Sequence, residues 1–322
     1  MPFLSYSHHV PSPLRAALLV PALSVVFALA GQTAQQYVAT GDSLLALDKP
    51  QRALDQYEKA LELEQTAVNY LARSRALYRL DRMDRFLLDV DKALRMDSTL
   101  AEAHYQRALY AMRAEDLEKV EYHTTRALAH TEENKLRSLA LLLRGEARAD
   151  LKRINPAIAD LEAGMAVGTQ EVELMQTLAR LYDAAGRHAE SLAVLEQLCE
   201  LDPYQVGHWS NRAFELIMLE RYNDALPMVE KALELDRDEP VALSNRAYIL
   251  LSMGKEDAAW DDVERSLRSY PANPYALRTR AILRLRKGDR DKACDDLTLA
   301  KALADIAEVD ELVKEHCGST PK

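Results

Sequence analysis

"WSNRAFELIMLERYNDALPMVEKALELD" occupies residues 209–236, and its polar word SNRA, at 210–213, returns at 244–247 after 34 residues. Stepping both ways from Ala213 gives a series of small residues: Gly41, Ser74, Ala108, Gly145, Ala179, Ala213, Ala247 and Ala281. Their spacings are 33, 34, 37, 34, 34, 34 and 34. Twelve residues beyond each anchor stand Ala53, Phe86, Val120, Ala157, Ser191, Ala225, Ala259 and Ala293. Nineteen beyond come Ala60, Ala93, Ala127, Gly164, Leu198, Ala232, Ser266 and Ala300. Mostly small residues in this rhythm let helix axes approach, so the chain reads as a row of helical hairpins. Gly186, Gly254 and Gly288 fall between the two helices of their units, where a residue with positive φ ends a helix.

Composition agrees with an all-α chain. The 322 residues are 48% apolar, enough for a large core, and contain only 10 Gly and 12 Pro. A net charge of −10 and a pI near 5.4 give no overall basic field, which disfavours nucleic acid as a partner.

The pattern resembles the tetratricopeptide repeat family over about residues 34–303. In the opening stretch the residues matching that family's signature are Trp209, Ala213, Leu216, Ala225, Val229 and Ala232, and Pro203 and Pro271 stand in its closing-proline slot. The resemblance implies an α-solenoid of about eight hairpins in a right-handed superhelix, with helix A of each unit on the concave wall and helix B on the outer one. The expected array fills 31–303, with units near 34–66, 67–100, 101–137, 138–171, 172–205, 206–239, 240–273 and 274–303. The three extra residues around HTEENKLRS (130–138) predict an irregular joint. Because the last helix B would leave an apolar face in water, residues 304–317 are expected to form a capping helix that seats Ile306, Val309, Leu312 and Val313, before a disordered tail at 318–322.

Residues 1–30 have no Asp or Glu and one Arg, and AALLVPALSVVFALA (16–30) carries Ser24 as its one polar residue. The run is short for a membrane span, and its Ala28-Leu29-Ala30 ending suits a cleaved secretory signal. An uncleaved anchor is the alternative; either places the remainder outside the cytoplasm, in a periplasmic or extracellular setting. Cysteines there tend to pair. Cys199 reads as a small buried hydrophobe, whereas a cap folded back near residue 305 brings Cys294 and Cys317 opposite each other, as a disulfide or as two free thiols.

One residue before the anchor, six units carry Arg: Arg73, Arg107, Arg144, Arg212, Arg246 and Arg280. The site is at least half buried in a helical hairpin, so the guanidinium needs a partner. Sixteen residues later Asp89, Asp160, Asp262 and Asp296 follow four of them, which predicts an Arg–Asp clip between helices A and B; the alternative is unrelated solvated charges.

The face that the resemblance assigns to the concave groove carries Tyr105, Leu109, Met112 and Arg113 in the third unit. In the last three it carries Ser210, Asn211, Phe214, Ile217, Met218, Ser244, Asn245, Tyr248, Leu251, Tyr275, Arg278 and Ile282. Apolar and aromatic residues beside amides suit an extended peptide or a helix, unless neighbouring A helices bury them against one another. The Lys-and-Asn clamp by which some family members hold a C-terminal carboxylate is missing from the slot three before the anchor, which reads Val38, Leu71, Tyr105, Leu142, Gln176, Ser210, Ser244 and Arg278.

Neither a phosphate-cradling glycine loop nor paired Cys or His ligands occur. His104 and His123 in one unit are the nearest approach to a metal pair. The expectation is a non-enzymatic, cofactor-free and metal-free exported scaffold that binds a protein or peptide in its groove, as an adaptor or assembly factor. The alternative is a structural or self-associating envelope component using its convex or end surfaces. Oligomeric state is left open.

Overall fold

A computed structural model describes residues 32–166 and 171–318. The expected signal, 1–30, and residues 319–322 of the expected tail lie outside the described residues. Eight helical hairpins follow one another: α1 (Ala34–Ala46) with α2 (Pro50–Leu63), α3 (Ala67–Arg79) with α4 (Met83–Met96), α5 (Ala101–Arg113) with α6 (Leu117–His130), and α7 (Asn134–Asp150) with α8 (Ile154–Met165). The second half pairs α9 (Val172–Ala184) with α10 (His188–Leu201), α11 (Val206–Met218) with α12 (Tyr222–Leu235), α13 (Pro240–Ser252) with α14 (Glu256–Ser269), and α15 (Pro274–Arg286) with α16 (Arg290–Leu303). No strand occurs among the described residues.

The small-residue rhythm is the packing axis of this array. Of the three anchor series, Ala53, Ala60, Phe86, Ala93, Ala108, Ala213, Ala247 and Ala281 have no exposed surface at all. At Gly145 a Cβ would sit 2.8 Å from Leu161 Cδ2, so α7 and α8 approach more closely there than any side chain on Gly145 would allow.

All eight turns between helices A and B end the same way. The seventh residue after the anchor has positive φ: Asp48, Asp81, Glu115, Lys152, Gly186, Glu220, Gly254 and Gly288. The next N–H reaches back to a carbonyl five residues earlier, as in Arg221 to Leu216 and Lys255 to Leu250, both 2.8 Å. This closure caps the orphan carbonyls of helix A, and three units use the glycine that makes it cheapest. Around 130–138 the extra residues form an added N-terminal turn on α7, which is 17 residues long where the other A helices have 13.

After α16 the chain turns back. The cap is α17 (Ala307–Leu312) followed by one π-helical turn, Val313–Cys317. Val309 is buried, and Ile306, Leu312, Val313 and Cys317 pack on the core between repeats 7 and 8. A disulfide joins Cys294 to Cys317, with Cα atoms 5.6 Å apart. Cys199 is free and buried, and burial raises its thiol to about 11.

Candidate functional site

The A helices line one face of the array, and that face differs between its two ends. In repeats 1 to 3 it holds an apolar concavity of about 340 Å³ lined by Leu45, Tyr78, Phe86, Tyr105 and Leu109, with Arg75, Arg79, Glu102 and Gln106 at its edge. The slot three before the anchor holds the larger Leu71 and Tyr105 here, and α3 meets α5 through side chains, Ser74 Oγ on Gln106 Oε1 and Arg75 beside Glu102. Burial pushes the Tyr105 phenol up to about 12. Arg75 is held near Asp42 (3.2 Å) and Glu102 (3.3 Å), yet its buried Nε makes no hydrogen bond.

At the other end the same slot holds Ser210 and Ser244, both 2% exposed. Two successive serines let α11 and α13 come together until Asn245 Nδ2 donates to the Ser210 carbonyl at 2.9 Å. Phe214 of α11 then reaches past repeat 7 to meet Tyr275 of α15 edge-on, ring centroids 5.1 Å apart. Arg278 lies over the Tyr248 ring at 4.0 Å and pairs with Glu308 of the cap at 3.2 Å, while Tyr248 Oη donates to the same carboxylate at 3.2 Å. The groove here is filled by the chain's own residues.

Several expected groove residues are therefore not on an open surface. Ser210, Ile217, Ser244, Asn245, Leu251 and Arg278 are buried, because small residues bring the A helices into contact and the cap covers what remains. Phe214, Tyr248, Tyr275 and Ile282 are half-buried in the same closure. Asn211 and Met218 are exposed. In repeat 3, Tyr105 and Leu109 line the open concavity, Met112 packs half-buried against the core that α5 and α6 share with α7, and Arg113 is exposed and pairs with Asp81 at 3.0 Å.

The arginines before the anchor form a regular set of ties. Arg73–Asp89, Arg144–Asp160, Arg246–Asp262 and Arg280–Asp296 each make two parallel bonds, Nε to one carboxylate oxygen and a terminal nitrogen to the other, all between 2.6 and 3.0 Å. The four aspartates are 4–5% exposed. Arg107 and Arg212, which have no aspartate sixteen residues ahead, turn back to Asp91 and Glu196 sixteen residues behind, both at 3.0 Å. In repeats 4 and 8 a second arginine four residues on, Arg148 or Arg284, binds the same aspartate at 2.7 Å. Both pairs, Arg144 with Arg148 and Arg280 with Arg284, stand one helical turn apart in the sequence.

His104 and His123 do meet, Nδ1 to Nδ1 at 3.1 Å, with His104 Nε2 on the Ser98 carbonyl at 3.1 Å. Both fit neutral rings, Nε2–H of His104 donating to Ser98 and Nδ1–H of His123 donating to His104. Burial, then the neighbouring ring, lowers His123 to about 4.

A second concavity, about 400 Å³, opens on the groove between α9 and α11 and is lined by Gln176, Arg180, Asp183, Ser191, His208, Asn211, Phe214 and Glu215 among others. Glu215 is 2% exposed, and burial raises its pKa. Its Oε1 accepts from Ser191 Oγ at 2.7 Å and its Oε2 from His188 Nδ1 at 2.8 Å, with Asp183 Oδ1 3.6 Å from the same nitrogen. Sequence reading missed this cluster, although Glu215 occupies a slot that in the other units holds Ser43, Ala76, Tyr110, Ala147, Leu181, Ile249 and Leu283.

Residues 172–205, the fifth hairpin, match the tetratricopeptide repeat family. Among solved structures the chain is similar to YrrB, a tetratricopeptide protein with an unusual peptide-binding site, at 22% identity and a TM-score of 0.53 over 59% of this chain and 97% of that one. It is also similar to a tetratricopeptide protein of Parabacteroides merdae (16% identity, TM-score 0.45, 89% and 100% covered) and to the Cut9–Hcn1 hetero-tetramer of the APC/C (13%, 0.48, 87% and 55%). No curated protein matches the chain. The class is thus an α-solenoid of helical hairpins. Its fold is that of the tetratricopeptide-repeat solenoids, and its fifth hairpin matches that family's repeat.

Proposed function

We propose that this protein is an exported, non-enzymatic adaptor that binds a peptide segment in the N-terminal half of its groove. The observation that carries the reading is the apolar concavity of repeats 1 to 3, where Tyr105 and Leu109 meet Leu45, Tyr78 and Phe86. A pocket of that kind takes a large apolar side chain, while the polar groups around it are engaged within the chain, Gln106 with Ser74 and Glu102 and Arg79 with Asp48. Repeats 7 and 8 are a poor receptor, since Tyr275 packs against Phe214 and Arg278 lies on Tyr248 and pairs with Glu308 of the cap. Export is supported by the apolar run 16–30 and by the Cys294–Cys317 disulfide, a bond that persists in oxidising compartments. Among the described residues no helix is long and apolar enough to cross a membrane.

Crosslinked capture from the source cells tests the reading with wild type beside Tyr105→Ala plus Leu109→Ala. Loss of a partner kept by Met218→Ala is the expected result, and an unchanged partner set removes the groove assignment. Terminal sequencing of the chain recovered from those cells should begin at Gly31; chains retaining 1–30 in the cytoplasmic fraction would remove export.

A further inference from the structure

Five carboxylates among the described residues are buried in the helical array, and four of them are alike. Asp89, Asp160, Asp262 and Asp296 each receive a bidentate arginine. The fifth, Glu215, does not: among the described residues no Lys or Arg lies within ion-pair distance of it, and its charged-group neighbour is His188. A buried carboxylate without a cation is costly, and the chain pairs every other one.

What surrounds Glu215 is a donor set drawn from three helices. Asp183 comes from the end of α9, His188 begins α10, and Glu215 is in α11. One donor atom from each lies within 4.8 Å of the others. His188 Nδ1 is 2.8 Å from Glu215 Oε2 and 3.6 Å from Asp183 Oδ1, separations that two ligands can hold on one ion with bonds of about 2.0–2.2 Å. Ser191 Oγ holds the other Glu215 oxygen at 2.7 Å, an outer bond of the kind that orients ligating carboxylates. The neighbouring concavity gives an ion a path from the groove. Arg180 lines it too, but its guanidinium bonds Thr177 and pairs with neither carboxylate.

The geometry points to a site for one divalent transition-metal ion of zinc type, held by Asp183, His188 and Glu215 with its fourth position turned to the groove. One imidazole nitrogen and two carboxylates are a zinc donor set, and three ligands, one of them a nitrogen, fall short of the six to eight oxygens that calcium takes. On binding, the metal replaces the Nδ1 proton of His188, and that proton moves to Nε2. The ion supplies the missing cation beside Glu215 and ties repeat 5 to repeat 6. The site is independent of the peptide pocket in repeats 1 to 3.

Zinc chloride is the probe, added to the purified full chain, with uptake read by equilibrium dialysis and elemental analysis. One equivalent should bind, and cobalt substituted for zinc should give a visible d–d spectrum of four-coordinate character. Asp183→Asn and Glu215→Gln preserve shape and hydrogen bonding, and each should weaken uptake by about 100-fold; Ser191→Ala should weaken it by about 10-fold. His123→Gln, at the other histidine pair, should leave uptake unchanged. A folded wild-type chain that takes up no zinc overturns the assignment. So does uptake that survives in folded Asp183→Asn and Glu215→Gln, or that disappears in His123→Gln.

Discussion

The first three repeats and the last three are built on one rhythm and finish with different surfaces. Their anchors, turns and helix lengths superimpose in sequence, and the difference lies in the slot three before the anchor. With Leu71 and Tyr105 in that slot, α3 and α5 meet through Ser74 and Gln106 and a concavity lined by Tyr105 remains, whereas Ser210 and Ser244 let the A helices close until Asn245 bonds the next backbone and Phe214 touches Tyr275. The cap then seals that end with Glu308 and a disulfide. Side-chain size at one repeated position thus accompanies the difference between an end with an open concavity and an end closed on its own residues.

The largest effect should come from the ties that fix the closed end. Asp296 serves both Arg280 and Arg284, so Asp296→Ala leaves Arg280 with Glu264 alone and Arg284 with the Lys292 carbonyl, and should cost about 3 kcal/mol. Denaturant unfolding with hydrogen exchange resolved by repeat should locate the loss in repeats 7 and 8. Asp91→Ala, on the more exposed tie of Arg107, should cost under about 1 kcal/mol.

Next is the cap. The Cys294–Cys317 bond closes a loop of sequence separation 23, and Cys317→Ser should cost about 3 kcal/mol by loop entropy. In a solenoid that loss stays local, so exchange should rise in 290–317 and around Arg278 and Tyr248 while repeats 1 to 3 keep their protection.

Acid should loosen the open half first. His123 is held neutral in the folded chain, down to about 4, whereas an unfolded histidine titrates near 6.5. The unfolded state therefore binds the extra proton in that window, and stability present above pH 6.5 is lost as pH falls toward 4. Screening leaves about 1–2 kcal/mol, visible as a midpoint shift that His123→Gln removes.

The smallest effect separates the two ends by their turns. The first three repeats place Asp48, Asp81 and Glu115 at positive φ where the last two have Gly254 and Gly288. Glu115→Gly should gain up to about 1 kcal/mol and Gly254→Ala should lose about 1–2 kcal/mol, read as opposite shifts in Tm.

The hairpins, their turns and the cap were legible because each depends on residues at fixed separations along the chain. The four Arg–Asp pairs were legible for the same reason: sixteen residues span one hairpin. The groove was half legible. A face assigned by helical periodicity says which side residues take, and Ser210 and Asn245 do lie on the A-helix side, but not whether the neighbouring helix will cover them. That closure depends on contacts such as Phe214 to Tyr275, 61 residues and two repeats apart, which no single-repeat pattern contains. The Asp183–His188–Glu215 cluster was hidden similarly, since its members come from three helices, although an acidic residue in an otherwise uncharged slot marked Glu215 as unusual.

The central claim, an open receptor at one end and a self-filled groove at the other, is tested most directly by a photo-crosslinking amino acid placed at 105 in one chain and at 248 in another. Expressed in the source cells and irradiated, the chain labelled at 105 should form adducts with a partner, and the chain labelled at 248 should give only an internal crosslink to the cap. Partner adducts at 248 with none at 105 would contradict the account.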